Sequence, residues 1–212
     1  MEELEEIVKI PTLEEVQAFA DDECIRFPAP FDQYLDWVEK CAFNISYTNN
    51  EISIMGSASY LHERLVASII FYLKSIFKNN KDLSFLGSNI KIHVQGTFSP
   101  NNFNADVSVV QGQPEFMILP SGKTSIGTIL NPVLVVEVTS ESTIAFDFGD
   151  KLIAYKKIKS LQQIIYINQY ETSVSVFQRK GPNHWDLHDY FLSEDSFEIM
   201  GQSVSISEIY GE

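Results

Sequence analysis

Asp106, Glu137 and Lys151 are the residues of this chain whose types and setting could do chemistry. Both acids stand in strongly β-type text, NADVSVV and LNPVLVVEVTSEST, and the lysine stands in FDFGDKLIAYKK, which has helical spacing. An ionised carboxylate among apolar residues is costly unless it is paired, hydrogen-bonded or bound to a metal. Two carboxylates with a lysine nearby equip a metal-dependent site for cleaving phosphodiesters. A hard cation such as Mg²⁺, or Mn²⁺ in its place, takes oxygen ligands, commonly one or two carboxylates with water and substrate phosphate. It polarises the phosphoryl oxygen and lowers the pKa of bound water. The bland reading of each acid is an ion pair with a basic residue or a turn cap.

Spacing sets what these residues require of the fold. Side chains alternate across a strand, so Val135, Glu137 and Thr139 share one face, with Val136 and Val138 on the other. The strand carbonyl of Val138 would add an oxygen ligand beside the carboxylates of Asp106 and Glu137. Asp106 lies 31 residues before Glu137 (137 − 106) and meets it if their strands are neighbours. Asp147, Lys151 and Tyr155 fall at i, i+4 and i+8, on one helical face. Lys151 there would orient the attacking water or stabilise the charge that develops on phosphorus oxygens. Asp147 four residues before Lys151 is also an ordinary helix pair, worth about 0.2–0.5 kcal/mol.

The elements that must position them read as follows. Residues 1–42 form an acidic arm or helical preface, and 43–212 form the main domain. Ile45 and Tyr47 before Asn49-Asn50, with Ile52 and Ile54 after it, predict a hairpin. Leu61, Leu65, Ile69, Leu73 and Ile76 predict a helix over 58–78. Residues 85–94, 105–110 and 133–139 read as strands, the last a nearly continuous apolar run buried on both faces. A helix follows over 146–159, then strands at 163–168, 174–178 and 185–191. The order predicts an α/β fold, one main mixed sheet flanked by helices.

At 212 residues, 44% of them hydrophobic, the chain can bury one substantial core. No apolar stretch is long enough to cross a membrane, and MEELEEIVKI has neither a basic region nor an apolar signal core, which predicts a cytoplasmic location. Cys24 and Cys41 have no metal-type spacing and read as reduced thiols. The net charge of −14 opposes free binding to nucleic acid, yet residues 1–40 hold 12 acidic against 3 basic side chains, leaving 17 against 12 for the rest. Lys151, Lys156, Lys157 and Lys159 are either a local phosphate-facing patch or a solvated helix end favoured by the dipole. Ser121-Gly122-Lys123-Thr124 lacks the glycine a phosphate-binding loop needs at position 117, which is Met117. His184 and His188, on a strand, stand too far apart to chelate one ion.

The blocks NNEISIMGSASYLHERLV, GSNIKIHV, NADVSVVQGQPEF, LNPVLVVEVTSEST, FDFGDKLIAYKKIKSLQQIIYIN and SISEIY, in that order, carry a resemblance. Over roughly 43–210 the chain resembles the Uma-two family of bacterial restriction-endonuclease-like proteins, within the PD-(D/E)XK nuclease superfamily. The resemblance implies a restriction-endonuclease-like α/β core with additional strands, Asp106 and Glu137 as metal ligands, and Lys151 in the role of a lysine usually found two residues after the glutamate. That usual position is Thr139 here, and Ala105 replaces the proline that usually precedes the aspartate. His62 matches a recurring family histidine near the start of the first long helix, where it would contact substrate phosphate or a metal-bound water, with Glu63 or Glu51 assisting in the outer shell; the bland reading is a structural or exposed helical histidine. A homodimer would bring two sites to a DNA duplex. The expectation is a Mg²⁺-dependent DNA endonuclease; its alternative is a catalytically inactive binding or regulatory protein on the same fold.

Overall fold

A computed structural model describes residues 10–18, 24–38, 40–41, 43–56, 58–96, 100–140 and 143–211. The chain opens with α1 (Leu13–Gln17), β1 (Cys24–Pro28), α2 (Phe31–Val38), the hairpin β2 (Ile45–Thr48) and β3 (Glu51–Met55), and the long α3 (Tyr60–Ile76). Six strands follow: β4 (Leu83–Gly87), β5 (Lys91–Val94), β6 (Asn101–Asn104), β7 (Val107–Gln111), β8 (Phe116–Ile118) and β9 (Thr124–Ile129). Then come β10 (Pro132–Thr139), α4 (Ile144–Phe146), a π-turn (Asp147–Lys151) and α5 (Leu152–Tyr155). The remainder is β11 (Gln163–Asn168), β12 (Val174–Gly181), β13 (His184–Tyr190), the ribbon β14 (Ser196–Ile199) and β15 (Gln202–Ser205), and α6 (Ile206–Tyr210).

The strands divide into two sheets and the ribbon. Six strands run β13-β12-β11-β10-β7-β4, mixed because β10 and β11 are parallel and the other pairs antiparallel; seven run β1-β3-β2-β6-β5-β9-β8. The inner strands β7, β10 and β11 of the six-stranded sheet are buried on both faces, whereas its edge strand β13 is largely exposed. Leu65, Ile69 and Leu73 of α3 pack with Val136, Val138 and Ile165 on one face. Val135, Ile164 and Tyr166 pack on the other with Leu152 and Tyr155, and with Ile92 and Phe103 of the seven-stranded sheet. The far face of that second sheet packs α2, with Tyr34 and Trp37 against Ile45, Tyr47, Ile52 and Ile54.

The mixed α/β architecture, with its flanking helices and extra strands, follows the sequence expectation, and three details correct it. In place of one main sheet there are two, because the run read as 85–94 breaks at the turn Ser88–Ile90 and sends β4 and β5 into different sheets. The strand read from residue 105 begins at Val107, which leaves Asp106 in a bend. The helix read over 146–159 runs from Ile144 to Tyr155 and is interrupted by the π-turn, with non-helical dihedrals at Gly149. The hairpin holds, turning on Asn49 and Asn50 at φ of 50° and 62°, left-handed values that asparagine tolerates better than most residues. From the region read as an arm, the described part supplies β1, paired to β3, and α2.

Candidate active site

Strand pairing brings the two acids together. β7 and β10 are neighbours whose ladder ends at Val136 opposite Val107, so Asp106 and Glu137 sit where the two strands part. There the side chains take over from the ladder. Asp106 Oδ2 accepts a hydrogen bond from the Val138 backbone N–H at 2.7 Å, and the Asp106 N–H makes a longer one of 3.4 Å to Glu137 Oε2. Val138 thus holds Asp106 through its amide while its side chain enters the α3 core.

The interrupted helix delivers the cation. Lys151 Nζ lies 2.9 Å from Glu137 Oε1 and 3.2 Å from Asp147 Oδ1, and all three side chains are almost fully buried. Tyr155 donates its hydroxyl to Glu137 Oε1 at 2.7 Å, and Tyr166 donates to the Asp147 carbonyl at 2.7 Å. A kink at Gly149, where the dihedrals are non-helical, separates two short helical pieces, and Asp147 and Lys151 on either side of it are both buried. On the opposite side, His62 Nε2 lies 3.2 Å from Asp106 Oδ2. Ser59 caps α3 by accepting from the His62 N–H at 3.1 Å, and its own hydroxyl donates to Gln169 Oε1 at 3.1 Å.

Burial and unbalanced negative charge set the protonation states. Burial, with Asp106 and Asp147 close by, pushes the Glu137 carboxyl up to about 8 despite the opposing pull of Lys151. Burial alone would lower the Lys151 ammonium, but Asp147, Glu137 and Asp106 outweigh it and hold the proton on. Burial lowers the His62 imidazole, but the hydrogen bond and charge of Asp106 together with Glu63 and Glu137 outweigh it, so the imidazole ends above its ordinary value. Tyr155 is raised well above the phenol range by burial and by Glu137, and it stays a donor.

These side chains form one end of a cleft of about 550 Å³ between the two sheets. Asp106, Glu137, His62, Asp147 and Lys151 line it, as does Val138; Tyr155 stands behind Glu137. Glu63 lies at the rim, 3.7 Å from His62 Nδ1. Glu51 begins β3 opposite Thr48 and does not line the cleft. Nor do Lys156, Lys157 and Lys159, of which Lys156 covers the Phe177 ring. Residues 141 and 142 of the Ser/Thr-rich turn after β10 lie outside the described residues. Gln169 and Ser59 are among the cleft residues that sequence reasoning missed; a serine immediately before a helical pattern is a capping signal, whereas Gln169 carries none.

Among the described residues no group of three or more His, Cys, Asp and Glu side chains is arranged to hold a metal. Asp106 and Glu137 are carboxylates, the donor type that Mg²⁺ shares with water and substrate, so in chemistry of the donors alone they suit a divalent cation.

A family model named Uma2, described as "Putative restriction endonuclease", matches residues 31–205. The chain belongs to the Uma2 family. Two uncharacterised proteins of Synechocystis sp. are similar to this Uma2 chain. One is 29% identical over 192 residues, spanning 86% of this chain and 94% of its own length. The other is 26% identical over 174 residues, spanning 82% and 89%. A crystal structure from Anabaena variabilis, described as a "putative nuclease belonging to DUF820", superposes with a TM-score of 0.65 at 12% identity, over 84% of this chain and 97% of that one. At that identity the likeness is one of fold alone. Among the described residues no helix is long and apolar enough to cross a membrane.

Proposed function

We propose that this Uma2 chain is a Mg²⁺-dependent endonuclease that hydrolyses DNA phosphodiester bonds in the cytoplasm. The observation that carries the reading is the meeting of Asp106, Glu137 and Lys151, from a bend, a central strand and a π-turn, at one end of one cleft. Asp106 and Glu137 would hold the cation, with the Val138 carbonyl as a further oxygen and Mn²⁺ as a substitute ion. When bound, such a cation supplies Lewis-acid polarisation of the phosphate and a water of lowered pKa.

The chain's own groups do the rest. Lys151 keeps its proton, so it acts as a donor that orients the attacking water and stabilises the charge on the phosphoryl oxygens, rather than as a base. Asp147 and Tyr155 hold Lys151 and Glu137 in place. His62, hydrogen-bonded to Asp106 at the cleft wall, contacts the substrate phosphate as a donor. A homodimer would present two such sites to one DNA molecule.

The test is cleavage of supercoiled plasmid and of circular single-stranded DNA with Mg²⁺ or Mn²⁺, together with calorimetric titration of Mn²⁺. Asp106→Asn keeps an acceptor for the Val138 amide and is the informative variant. It is expected to lose cleavage and Mn²⁺ binding while staying folded, and Lys151→Ala is expected to lose cleavage. Folded wild type that neither cuts nor binds Mn²⁺ would favour a catalytically inactive binding or regulatory protein instead.

A further inference from the structure

The six-stranded sheet ends on a strand with no neighbour on its outer side. β13 pairs with β12 alone, and among the described residues the backbone of residues 184–190 bonds to no other backbone. An edge strand of seven residues presents a row of free N–H and C=O groups that another strand can take up. The usual obstacles are missing from it. His184–Tyr190 holds no lysine and no proline, and the register shift of the β12–β13 ladder lies at its very start, between Arg179 and Gly181. Leu187, at the middle of the strand, is 48% exposed.

The sequence of this strand, HWDLHDY, complements itself. His184, Asp186, His188 and Tyr190 share one face, and Trp185, Leu187 and Asp189 the other; Tyr190 packs on the α3 side and Trp185 on the side of the seven-stranded sheet. When two copies pair antiparallel about a two-fold axis, the axis runs normal to the sheet, opposed residues lie on one face, and the register is centred on a residue. Centred on Leu187, the pairing uses the whole strand. It sets Leu187 against its own copy, Trp185 against Asp189, and each Asp186 against His188 of the second copy. His184 Nε2, 3.2 Å from Asp186 Oδ1, and Lys180 Nζ, 3.9 Å from Oδ2, orient that carboxylate. His188 is exposed and has no partner among the described residues. Its ring N–H donates to a carboxylate whether or not the imidazole is charged, so both symmetry-related pairs are attractive. A step to either side loses this. Centring on Asp186 opposes two carboxylates, and centring on His188 opposes two imidazoles and leaves Asp186 against Tyr190.

We propose that β13 is the docking edge for a second copy of this chain, joining two six-stranded sheets into one through an Asp186–His188 pair repeated on either side of Leu187. The edge gives the homodimer of the nuclease reading a definite surface, but it does not rest on cleavage, because no residue of β13 lines the cleft. The contact is one strand wide, so the dimer forms reversibly.

The experiment is sedimentation velocity of the full chain across micromolar concentrations, with Asp186→Lys and His188→Asp as variants. Wild type is expected to pass from monomer to dimer as concentration rises, and hydrogen exchange of the β13 amides to slow with it. Each variant alone opposes like groups at both pairs, Lys to His or Asp to Asp, and its dimer is expected to weaken about tenfold or more. The Tm should change little, since exposed ion pairs contribute little to folding. Mixing the two variants should restore association to the wild-type range, because the mixed dimer sets Lys against Asp at one pair and His against Asp at the other. Wild type that stays monomeric throughout, variants that dimerise like wild type, or a mixture that stays monomeric would each overturn the proposal. Mn²⁺ titration of both variants is expected to match wild type. The expected pairing pattern without Mn²⁺ binding or cleavage would retain the interface and remove the nuclease reading; cleavage without that pattern would do the reverse.

Discussion

At Glu137, neighbouring side chains decide one another's protonation. Burial is the largest push on its carboxyl; its Oε1 accepts from both Tyr155 and Lys151, and the charges of Asp106 and Asp147 add to the push against the pull of Lys151. In the folded chain its carboxyl is held up to about 8, so between its ordinary value near 4.5 and about 8 the folded state carries a proton that the unfolded chain has released. Linkage then makes the metal-free protein lose stability as pH rises through that window, with the contribution fully present below it. His62, also raised, loses its contribution in the same direction above its ordinary 6.5. Thermal melts across this range are expected to show a steeper fall for wild type than for Glu137→Gln; parallel curves would refute the assignment. Lys151→Ala leaves two buried acids without their cation and is expected to cost about 3 kcal/mol by urea unfolding, more at alkaline than at acid pH because Glu137 can neutralise itself only in acid.

At the scale of elements, the site depends on how strands and helices end. β10 stops pairing with β7 at Val136, and α3 begins on the Ser59 cap that also reaches Gln169 beyond β11. Ser59→Ala removes the acceptor of the His62 amide and is expected to cost about 1 kcal/mol, measured by chemical denaturation, with a weaker His62–Asp106 contact as a smaller raised shift of the His62 titration in NMR. The elements legible in the sequence are those with a local signature. The apolar run around Glu137 announced a central strand, the spacing of Leu65, Ile69 and Leu73 announced α3, and Asn49-Asn50 announced its hairpin. Asp106 and Glu137 were therefore readable as charges in an apolar setting, and Lys151 as one face with Asp147. Strands β1, β6, β8 and β9 were not readable: they are short, and their membership of a sheet is decided by partners distant in sequence. The kink was equally hidden, because FDFGDK has ordinary helical spacing and the non-helical dihedrals at Gly149 appear only in the folded chain.

At the scale of the whole molecule, the cleft exists because two sheets face each other around one end of β10. The sheet opposite the acids depends on the first part of the chain: β1 completes its edge, and Tyr34 and Trp37 of α2 cover Ile45, Tyr47, Ile52 and Ile54. A chain beginning at residue 43 uncovers that core, and the loss of two such buried aromatics costs several kcal/mol. It is expected to be poorly soluble and to unfold without a cooperative transition in calorimetry; a sharp, wild-type-like melt would show the segment to be dispensable. The bond from the Val138 amide to Asp106 has a longer reach. Because the side chain closes a gap that the β-ladder leaves open, folding selects for an acceptor at position 106 whether or not DNA is ever cut. A descendant that had given up cleavage could carry asparagine there as well as aspartate and keep its sheet, so the acceptor speaks for architecture and only the acid, tested by assay, speaks for an enzyme.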